Sequence, residues 1–177
     1  MAALGTGGDA GRPTVNGLPV VAGTFSIAYV HSVYRAPSAE VFTVEGTRFT
    51  MRAVVSLSGG VLDYYALEGE RARLPGGAYV LRPAEPATYE ELTLLATPIG
   101  RRTLVSGGRC LPLYPERGAR EVRLALALAQ PAPACRAPGS SRPYSQSFFL
   151  NTPYSPADAS ATSTVDVQNP SGVPDPG

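Results

Sequence analysis

Apolar and polar residues alternate along the middle of the chain, and the alternation predicts β-strands. A period of two is that of a strand with one buried face, because successive side chains point to opposite sides of a sheet. The clearest runs cover residues 25–33, 49–57 and 122–129. Shorter candidate strands cover residues 61–67, 78–82, 92–97 and 103–105. Residues 86–96 fit either a strand or a helix that begins near Thr88.

Glycine and proline separate nearly all of these runs. The chain contains 19 Gly and 18 Pro, and turn sequences such as Glu45-Gly46, Gly59-Gly60 and Gly107-Gly108 fall between the apolar segments. Short strands separated so regularly by turns are typical of antiparallel folds. The sequence therefore predicts an all-β fold class, either an antiparallel β-sandwich or a partly open barrel of short strands.

The two ends of the chain differ in composition from its middle. Residues 1–17 are rich in glycine and aperiodic, and residues 130–177 are dense in Pro, Ala and Ser. Such compositions cannot bury enough apolar surface to offset the entropy lost on ordering. We therefore predict a flexible N-terminal segment over 1–17, a β domain over 18–129 and a disordered low-complexity tail over 130–177. An apolar island at 147–150 fits either a docking element or an incidental cluster.

The charge balance argues against nucleic acid as a partner. The 15 basic and 14 acidic residues nearly cancel, and the basic residues form no patch. Two cysteines, Cys110 and Cys135, allow one disulfide bond in an oxidising compartment or two free thiols. We favour free thiols, because Cys135 lies in a Pro/Ala-rich stretch. Neither a CxxC nor a Cys/His spacing is present, so no metal or other cofactor is predicted.

The sequence shows no readable export or membrane signal. Its first residues lack a basic region followed by an apolar stretch, and nothing later is apolar for long enough to span a bilayer. Taken literally, this predicts a soluble cytoplasmic protein with no membrane span. An exported protein whose leader had been trimmed would read in the same way.

The first two strands place the only histidine near a carboxylate. If residues 34–37 form a four-residue loop, His31 lies opposite Glu40. A turn at Glu45-Gly46 then adds the third strand, with Glu40 opposite Met51. On the shared apolar face only His31 and Glu40 are ionisable, and such groups are costly to bury without a partner. We therefore predict that they meet each other or a ligand.

Three interpretations of this pair stay open. One is a structural hydrogen bond that fixes the register of the hairpin, and another is a small polar pocket, shared with Ser32, that binds an acid, an ion or a partner group. The third, a small hydrolase that uses His31, has less support, because adjacent strand residues point to opposite faces and separate His31 from Ser32. Asp63 is a candidate to orient a base, but no GxSxG or phosphate-binding loop accompanies it. The predicted ligand-binding site is therefore His31, Ser32 and Glu40, with no catalytic residues.

The segment GTFSIAYVHSVYRAPSAEVFTV resembles the start of a bacterial family known as domain of unknown function 1850. The shared pattern, F-x-I/L-x-Y-x-HSV-x-x-x-P-x-x-E-x-F-x-V, falls on Phe25, Tyr29, His31, Ser32, Val33, Pro37, Glu40, Phe42 and Val44. A less sharp likeness extends through LATPIGRRTLVSGGRCLPLY, so the resemblance covers roughly residues 19–129. It implies a small exported or membrane-anchored protein, often encoded beside TRAP-type solute transporters, with no established activity.

Two classes of function follow from the residues and the resemblance together. The leading hypothesis is a non-enzymatic binding or accessory module, extracytoplasmic by resemblance, whose partner is a small organic acid or a transporter component. The alternative is a structural or protein-interaction domain that docks through its tail. A ligand that binds only the folded form would separate the two, because it stabilises that form.

Overall fold

The computed structural model describes residues 11–128 and 135–136, and it confirms the all-β fold class. The strands are β1 (Pro13–Val15), β2 (Leu18–Pro19), β3 (Thr24–Val30), β4 (Pro37–Glu45), β5 (Arg48–Ser56), β6 (Gly69–Arg73), β7 (Tyr79–Pro83), β8 (Thr88–Tyr89), β9 (Glu91–Ala96), β10 (Thr103–Ser106), β11 (Arg109–Pro112), β12 (Arg120–Leu128) and β13 (Cys135–Arg136). A short helix, α1 (Gly59–Tyr64), lies between β5 and β6. Apart from β13, the predicted tail lies outside the described residues.

The strands form two antiparallel sheets. The smaller sheet has the order β2-β1-β12-β9. The larger has nine strands in the order β13-β11-β10-β3-β4-β5-β7-β6, with β8 added to β5. Both orders run from one open edge to another, and side chains from the two sheets share one core. Of the two predicted architectures, the described residues therefore form the sandwich.

The main core lies between the sheets and is aromatic at its centre. Phe25, Phe42 and Phe49 are each at most 1% exposed. The ring centroids of Phe25 and Phe42 lie 5.1 Å apart, and those of Phe42 and Phe49 lie 5.6 Å apart. The smaller sheet contributes Leu18 and Leu124 to the same cluster. Burial of each such side chain stabilises the fold by about 1.5–3 kcal/mol, so this cluster is the main source of cohesion between the sheets.

The hairpin of β3 and β4 has a longer loop than predicted. Strand β3 ends one residue before His31, which lies in a six-residue loop. The residue opposite Glu40 is Ile27 on β3 and Val54 on β5. The predicted pairings of Glu40 with His31 and with Met51 are therefore wrong. The β3–β4 register is displaced by an even number of residues, which leaves every side chain on its original face and is invisible to the hydrophobic pattern.

Strand β5 contains a bulge that reverses the faces of its second half. Phe42 pairs with Met51, whereas the residue before Phe42 pairs with Ala53, so Arg52 has no partner on β4. An extra residue of this kind exchanges the inward and outward side chains that follow it. Val54 consequently packs in the main core, and Ala53 joins a second apolar cluster with residues of β4 and β7. The single apolar face predicted for residues 49–57 is wrong beyond Met51.

The segment after β5 is a helix where the sequence predicts a strand. Val61 and Leu62 are buried in α1, and Tyr65 lies on the same side one turn later. The spacing of these residues fits one helical turn, but a short apolar run does not distinguish a helix from a strand. Residues 86–96, for which both were predicted, form β8 and β9 instead of a helix.

Both ends of the described chain are tied to the sandwich. Strand β1 lies within the segment predicted to be flexible and pairs with β12. At the other end β13 pairs with β11, which places Cys135 directly opposite Cys110. Cys110 is disulfide-bonded, so the preference for two free thiols is wrong. Directly opposed residues on antiparallel strands have the Cα separation that a disulfide requires.

Candidate ligand-binding site

A cavity of about 550 Å³ opens at the end of the sandwich where the β3–β4 loop lies. Three segments surround it: this loop, the C-terminal end of α1, and the connection from β9 to β10. The lining residues are Tyr29, Val30, His31, Ser32, Glu40, Tyr64, Tyr65, Leu95, Thr97, Gly100 and Arg102. All three residues of the predicted site, His31, Ser32 and Glu40, are among them.

His31 organises the loop that forms one wall of the cavity. Its Nδ1 accepts hydrogen bonds from the backbone N–H groups of Val33 and Tyr34, each at 3.3 Å. The backbone N–H of His31 donates to the carbonyl of Ala36 at 2.9 Å, and the backbone carbonyl of His31 accepts from the N–H of Arg35 at 2.8 Å. The side chain thus supplies an acceptor to a turn whose N–H groups have no strand to pair with, as Asn and Asp do in Asx turns.

The same contacts fix the protonation state of the histidine. Burial, and to a smaller extent the charge of Arg102, lowers the pKa of His31 below 6.5. In the neutral ring Nδ1 is the acceptor, so the proton lies on Nε2 at the other side of the ring. The ring packs against Tyr64 and Tyr34, with centroid distances of 4.8 and 5.4 Å. His31 therefore lines the cavity as a fixed, uncharged donor.

Glu40 has tyrosine partners instead of the histidine. The hydroxyl of Tyr65 donates to Glu40 Oε1, and the hydroxyls of Tyr65 and Tyr29 lie 2.6 Å apart. Because Tyr65 uses its single proton on Glu40, Tyr29 must donate to Tyr65. Burial raises the pKa of Tyr29 to about 12 and, together with the charge of Glu40, raises that of Tyr65 further. Both phenols stay protonated, and the chain Tyr29–Tyr65–Glu40 leaves Oε2 of the carboxylate without a described partner.

Arg102 brings a cation to the cavity. Its guanidinium carbon lies 5.1 Å from the ring centroid of Tyr29, a distance at which a cation is attracted to an aromatic face. None of the described residues forms an ion pair or a side-chain hydrogen bond with this guanidinium. The backbone of Arg102 is anchored separately, since its carbonyl accepts a hydrogen bond from the N–H of Leu113 at 2.9 Å.

The turn before Arg102 is fastened to the hairpin. The N–H of Val30 donates to the carbonyl of Gly100 at 2.8 Å, and the N–H of Gly100 donates to Thr97 Oγ1 at 3.0 Å. Sequence reasoning did not single out Arg102, Tyr65 or Tyr29 as site residues. The sequence signal that could have indicated Arg102 is its position directly before the buried strand β10. A charged residue between a turn and a buried strand lies at the end of the sheet.

The hydrolase interpretation gains no contact from the structure. Ser32 is exposed and forms no hydrogen bond with His31. Asp63 pairs with Arg71 and not with the histidine. Across residues 11–128 and 135–136, His, Cys, Asp and Glu form no group of three that could hold a metal ion.

These observations define the class of protein: an open antiparallel β-sandwich with a tyrosine-lined cavity at one end that also contains a histidine, a glutamate and an arginine. Residues 25–113, just over half of the chain's 177 residues, match the family described as Domain of unknown function (DUF1850). The chain therefore belongs to this family, and the resemblance carried by the HSV segment is confirmed. No curated protein and no solved structure matches it. No described helix is both long and apolar enough to cross a membrane.

Proposed function

We propose that this protein is a non-enzymatic binding module that holds a small organic acid in the cavity. The observation that carries the proposal is the guanidinium of Arg102, which faces the cavity without an acidic partner among the described residues. A guanidinium offers a planar pair of donors that matches a carboxylate. The ligand's carboxylate therefore binds Arg102.

Further polar atoms of the lining define what else the ligand carries. The Nε2–H of His31 and the hydroxyl of Ser32 are donors, and Oε2 of Glu40 is an acceptor. Because Oε2 of Glu40 is a free acceptor, the ligand should carry a hydroxyl or amino group that donates to it. Without such a donor, the carboxylate oxygen would lose its hydrogen bonds to water on binding, at a cost in affinity. A hydroxy acid or an amino acid satisfies both the cation and the carboxylate.

The walls favour an aromatic or other apolar group between these polar ends. Tyr29, Tyr64 and Leu95 line the cavity beside the charged groups. Its volume of about 550 Å³ lies within the usual range of about 300–1,000 Å³ for small-molecule sites. An aromatic hydroxy acid such as mandelate combines a carboxylate, a hydroxyl and a ring at this size.

The test is a thermal unfolding experiment with three matched compounds. Mandelate carries all three groups, phenylacetate lacks the hydroxyl, and phenylethylene glycol lacks the carboxylate. We expect mandelate to raise the unfolding midpoint most, phenylacetate less, and the glycol not at all. A ligand selective for the folded form contributes about 2.7 kcal/mol when its free concentration is about 100 times Kd.

Two neighbouring arginines provide the matched variants. Arg102→Gln removes the cation that lines the cavity, and Arg101→Gln removes an exposed charge that does not line it. The midpoint shift with mandelate should disappear in the first variant and persist in the second. The carboxylate site would be refuted if the glycol and mandelate raised the midpoint equally. It would also be refuted if none of the three compounds raised the midpoint.

The disulfide bond supports a location outside the cytoplasm. Stable disulfides form in oxidising compartments such as the periplasm and are rare in the bacterial cytosol. We propose, from the bonded Cys110 and the family resemblance, an extracytoplasmic accessory role beside a TRAP-type solute transporter. Thiol labelling of the protein in its native cells, without added reductant, should leave Cys110 unmodified. Labelling of Cys110 would contradict the extracytoplasmic location. Failure of the protein to co-purify with a transporter component would contradict the association.

A further inference from the structure

Exposed apolar side chains concentrate around the mouth of the cavity. Eight large hydrophobic residues are exposed among those described: four lie on the three segments that surround the opening, Leu95 lines the cavity from β9, and Leu57 follows β5 beside the start of β4. We call these six the rim: Val33, Tyr34, Leu57, Tyr64, Leu95 and Ile99. The other two, Val21 and Leu128, lie on segments that do not line the cavity.

Contacts around the mouth of the cavity connect the segments that carry most of the rim. The ring of Tyr34 lies so close to Gly60 that a Cβ at this position would fall 2.5 Å from it, which joins the hairpin loop to α1. The His31 ring contacts both Tyr34 and Tyr64. Leu95 lines the same cavity, and the turn that carries Ile99 is hydrogen-bonded to the end of β3. Apolar groups exposed together in this way mark an interaction surface.

The charges at the rim without an ion pair to a described residue are two arginines and one carboxylate, Glu121, which is exposed opposite Leu95. Arg35 follows Tyr34, and Arg101 lies two residues after Ile99; both are exposed, and neither forms an ion pair with a described residue. Asp63, which precedes the rim residue Tyr64, is paired with Arg71.

We propose that the rim docks on an anionic lipid surface. Val33 and Ile99 are carried on separate turns and enter the interfacial region of the bilayer, while Tyr34 and Tyr64 lie at the level of the headgroups, where tyrosine is favoured. Arg35 and Arg101 then meet lipid phosphates and carboxylates. Two separate turns each carry an exposed apolar side chain close to an arginine. Anionic lipids can move to meet such arginines, whereas a protein partner needs fixed acidic groups at matching positions.

Docking in this orientation turns the mouth of the cavity toward the membrane. The inference does not depend on the proposed ligand, because none of the four side chains that contact lipid interiors or phosphates, namely Val33, Ile99, Arg35 and Arg101, lines the cavity. The two proposals can therefore fail separately.

The test is sedimentation of the full chain with vesicles of phosphatidylcholine alone or mixed with phosphatidylserine. We expect binding to the mixed vesicles and little to the neutral ones. Arg35→Gln together with Arg101→Gln should weaken binding about 25-fold, because each basic residue near an anionic surface contributes about fivefold. Val33→Ser together with Ile99→Ser should weaken it by about tenfold or more, through the loss of two buried aliphatic groups.

Matched controls separate the rim from the rest of the surface. Val21→Ser with Leu128→Ser removes two exposed apolar groups elsewhere, and Arg109→Gln with Arg117→Gln removes two exposed charges elsewhere. Neither should change vesicle binding, and thermal unfolding verifies that every variant folds. Arg102→Gln should abolish the mandelate shift and retain vesicle binding.

Three results would overturn the proposal. The first is no sedimentation with either vesicle, and the second is equal loss in the rim and control variants. The third is a concentration-dependent dimer, detected by analytical ultracentrifugation without lipid and abolished by Val33→Ser with Ile99→Ser, which would assign the rim to a second copy of the chain.

Discussion

Strands β3 and β4 build two ends of the sandwich that differ in how they are held together. At one end Phe25 pairs with Phe42, and a tight turn at Gly46 follows, where φ is +61°. At the other end Tyr29 and Glu40 lie on the same two strands, and a six-residue loop replaces the tight turn. The first end is closed by apolar rings and the second is kept open by hydrogen-bonded hydroxyl and carboxylate groups.

The difference shows what makes a cavity possible in so small a domain. Apolar rings pack until no space remains, because every void forfeits dispersion contacts. Phenol and carboxylate groups instead need specific partners at specific distances, which Tyr65 provides for Glu40. The aromatic end therefore supplies stability, and the polar end supplies a preformed site. Four predictions test this division, in order of decreasing effect.

The largest effect is expected from Phe42→Ala at the closed end. The ring is 1% exposed and packs against both Phe25 and Phe49. Truncation should lower the free energy of unfolding by about 3–5 kcal/mol, measured by urea denaturation. A loss below about 1 kcal/mol would mean that this end is not the source of cohesion.

A smaller effect is expected from Tyr65→Phe at the open end. The change deprives Glu40 of its donor and Tyr29 of its acceptor, and it should cost about 1–3 kcal/mol by the same measurement. Tyr64→Phe is the matched control, because its hydroxyl makes no hydrogen bond with a described residue. Equal losses in both variants would show that the hydroxyl chain does not stabilise the cavity.

His31→Ala tests the loop alone. Loss of the acceptor for two backbone N–H groups should cost about 1 kcal/mol, by analogy with the loss of a helix cap. His31→Asn should recover part of it, because Asn can accept from the same turn. If Ala and Asn are equally destabilised, the hydrogen bonds to Nδ1 contribute nothing and only the packing of the ring matters.

The smallest effect is a pH dependence that comes from the same histidine. Its pKa is lowered in the folded protein, so the unfolded chain binds the proton more tightly. The neutral ring therefore contributes stability that is complete above 6.5 and is lost as the pH falls through the folded pKa. The free energy of unfolding of the wild type should fall relative to His31→Asn between about pH 7.5 and 5. A constant difference would contradict the lowered pKa.

The sequence predicts the strands and faces of this fold better than their pairing. Period-two alternation located β3, β5, β9 and β12, since one buried face imposes it directly. It could not fix the hairpin register, because a displacement by an even number of residues leaves Glu40 on the same face. The bulge at Arg52 could not be predicted either, because no glycine occurs there to indicate it. The Arg52 side chain donates to Thr43 Oγ1 at 2.9 Å across the irregular pair.

The candidate site was partly accessible from the sequence for the same reason. Glu40 keeps its face in either register, and His31 stays at the end of the hairpin, so both line the cavity although they do not meet. Tyr65 and Arg102 arrive from segments far away along the chain, and only the complete topology brings them to Glu40 and Tyr29. Local periodicity carries no information about such encounters. The disulfide of Cys110 was missed likewise, because it depends on the pairing of β13.

The bulge at Arg52 gives this strand one place where its length can change without exchanging its faces. Arg52 has no partner on β4, whereas Met51 and Ala53 pair with the consecutive residues Phe42 and Val41. Deletion of residue 52 would therefore join Met51 to Ala53 in a regular ladder and leave Ala53 and Val54 on their present sides of the sheet. In the evolution of this protein, the loss of one residue at this point is compatible with the same core.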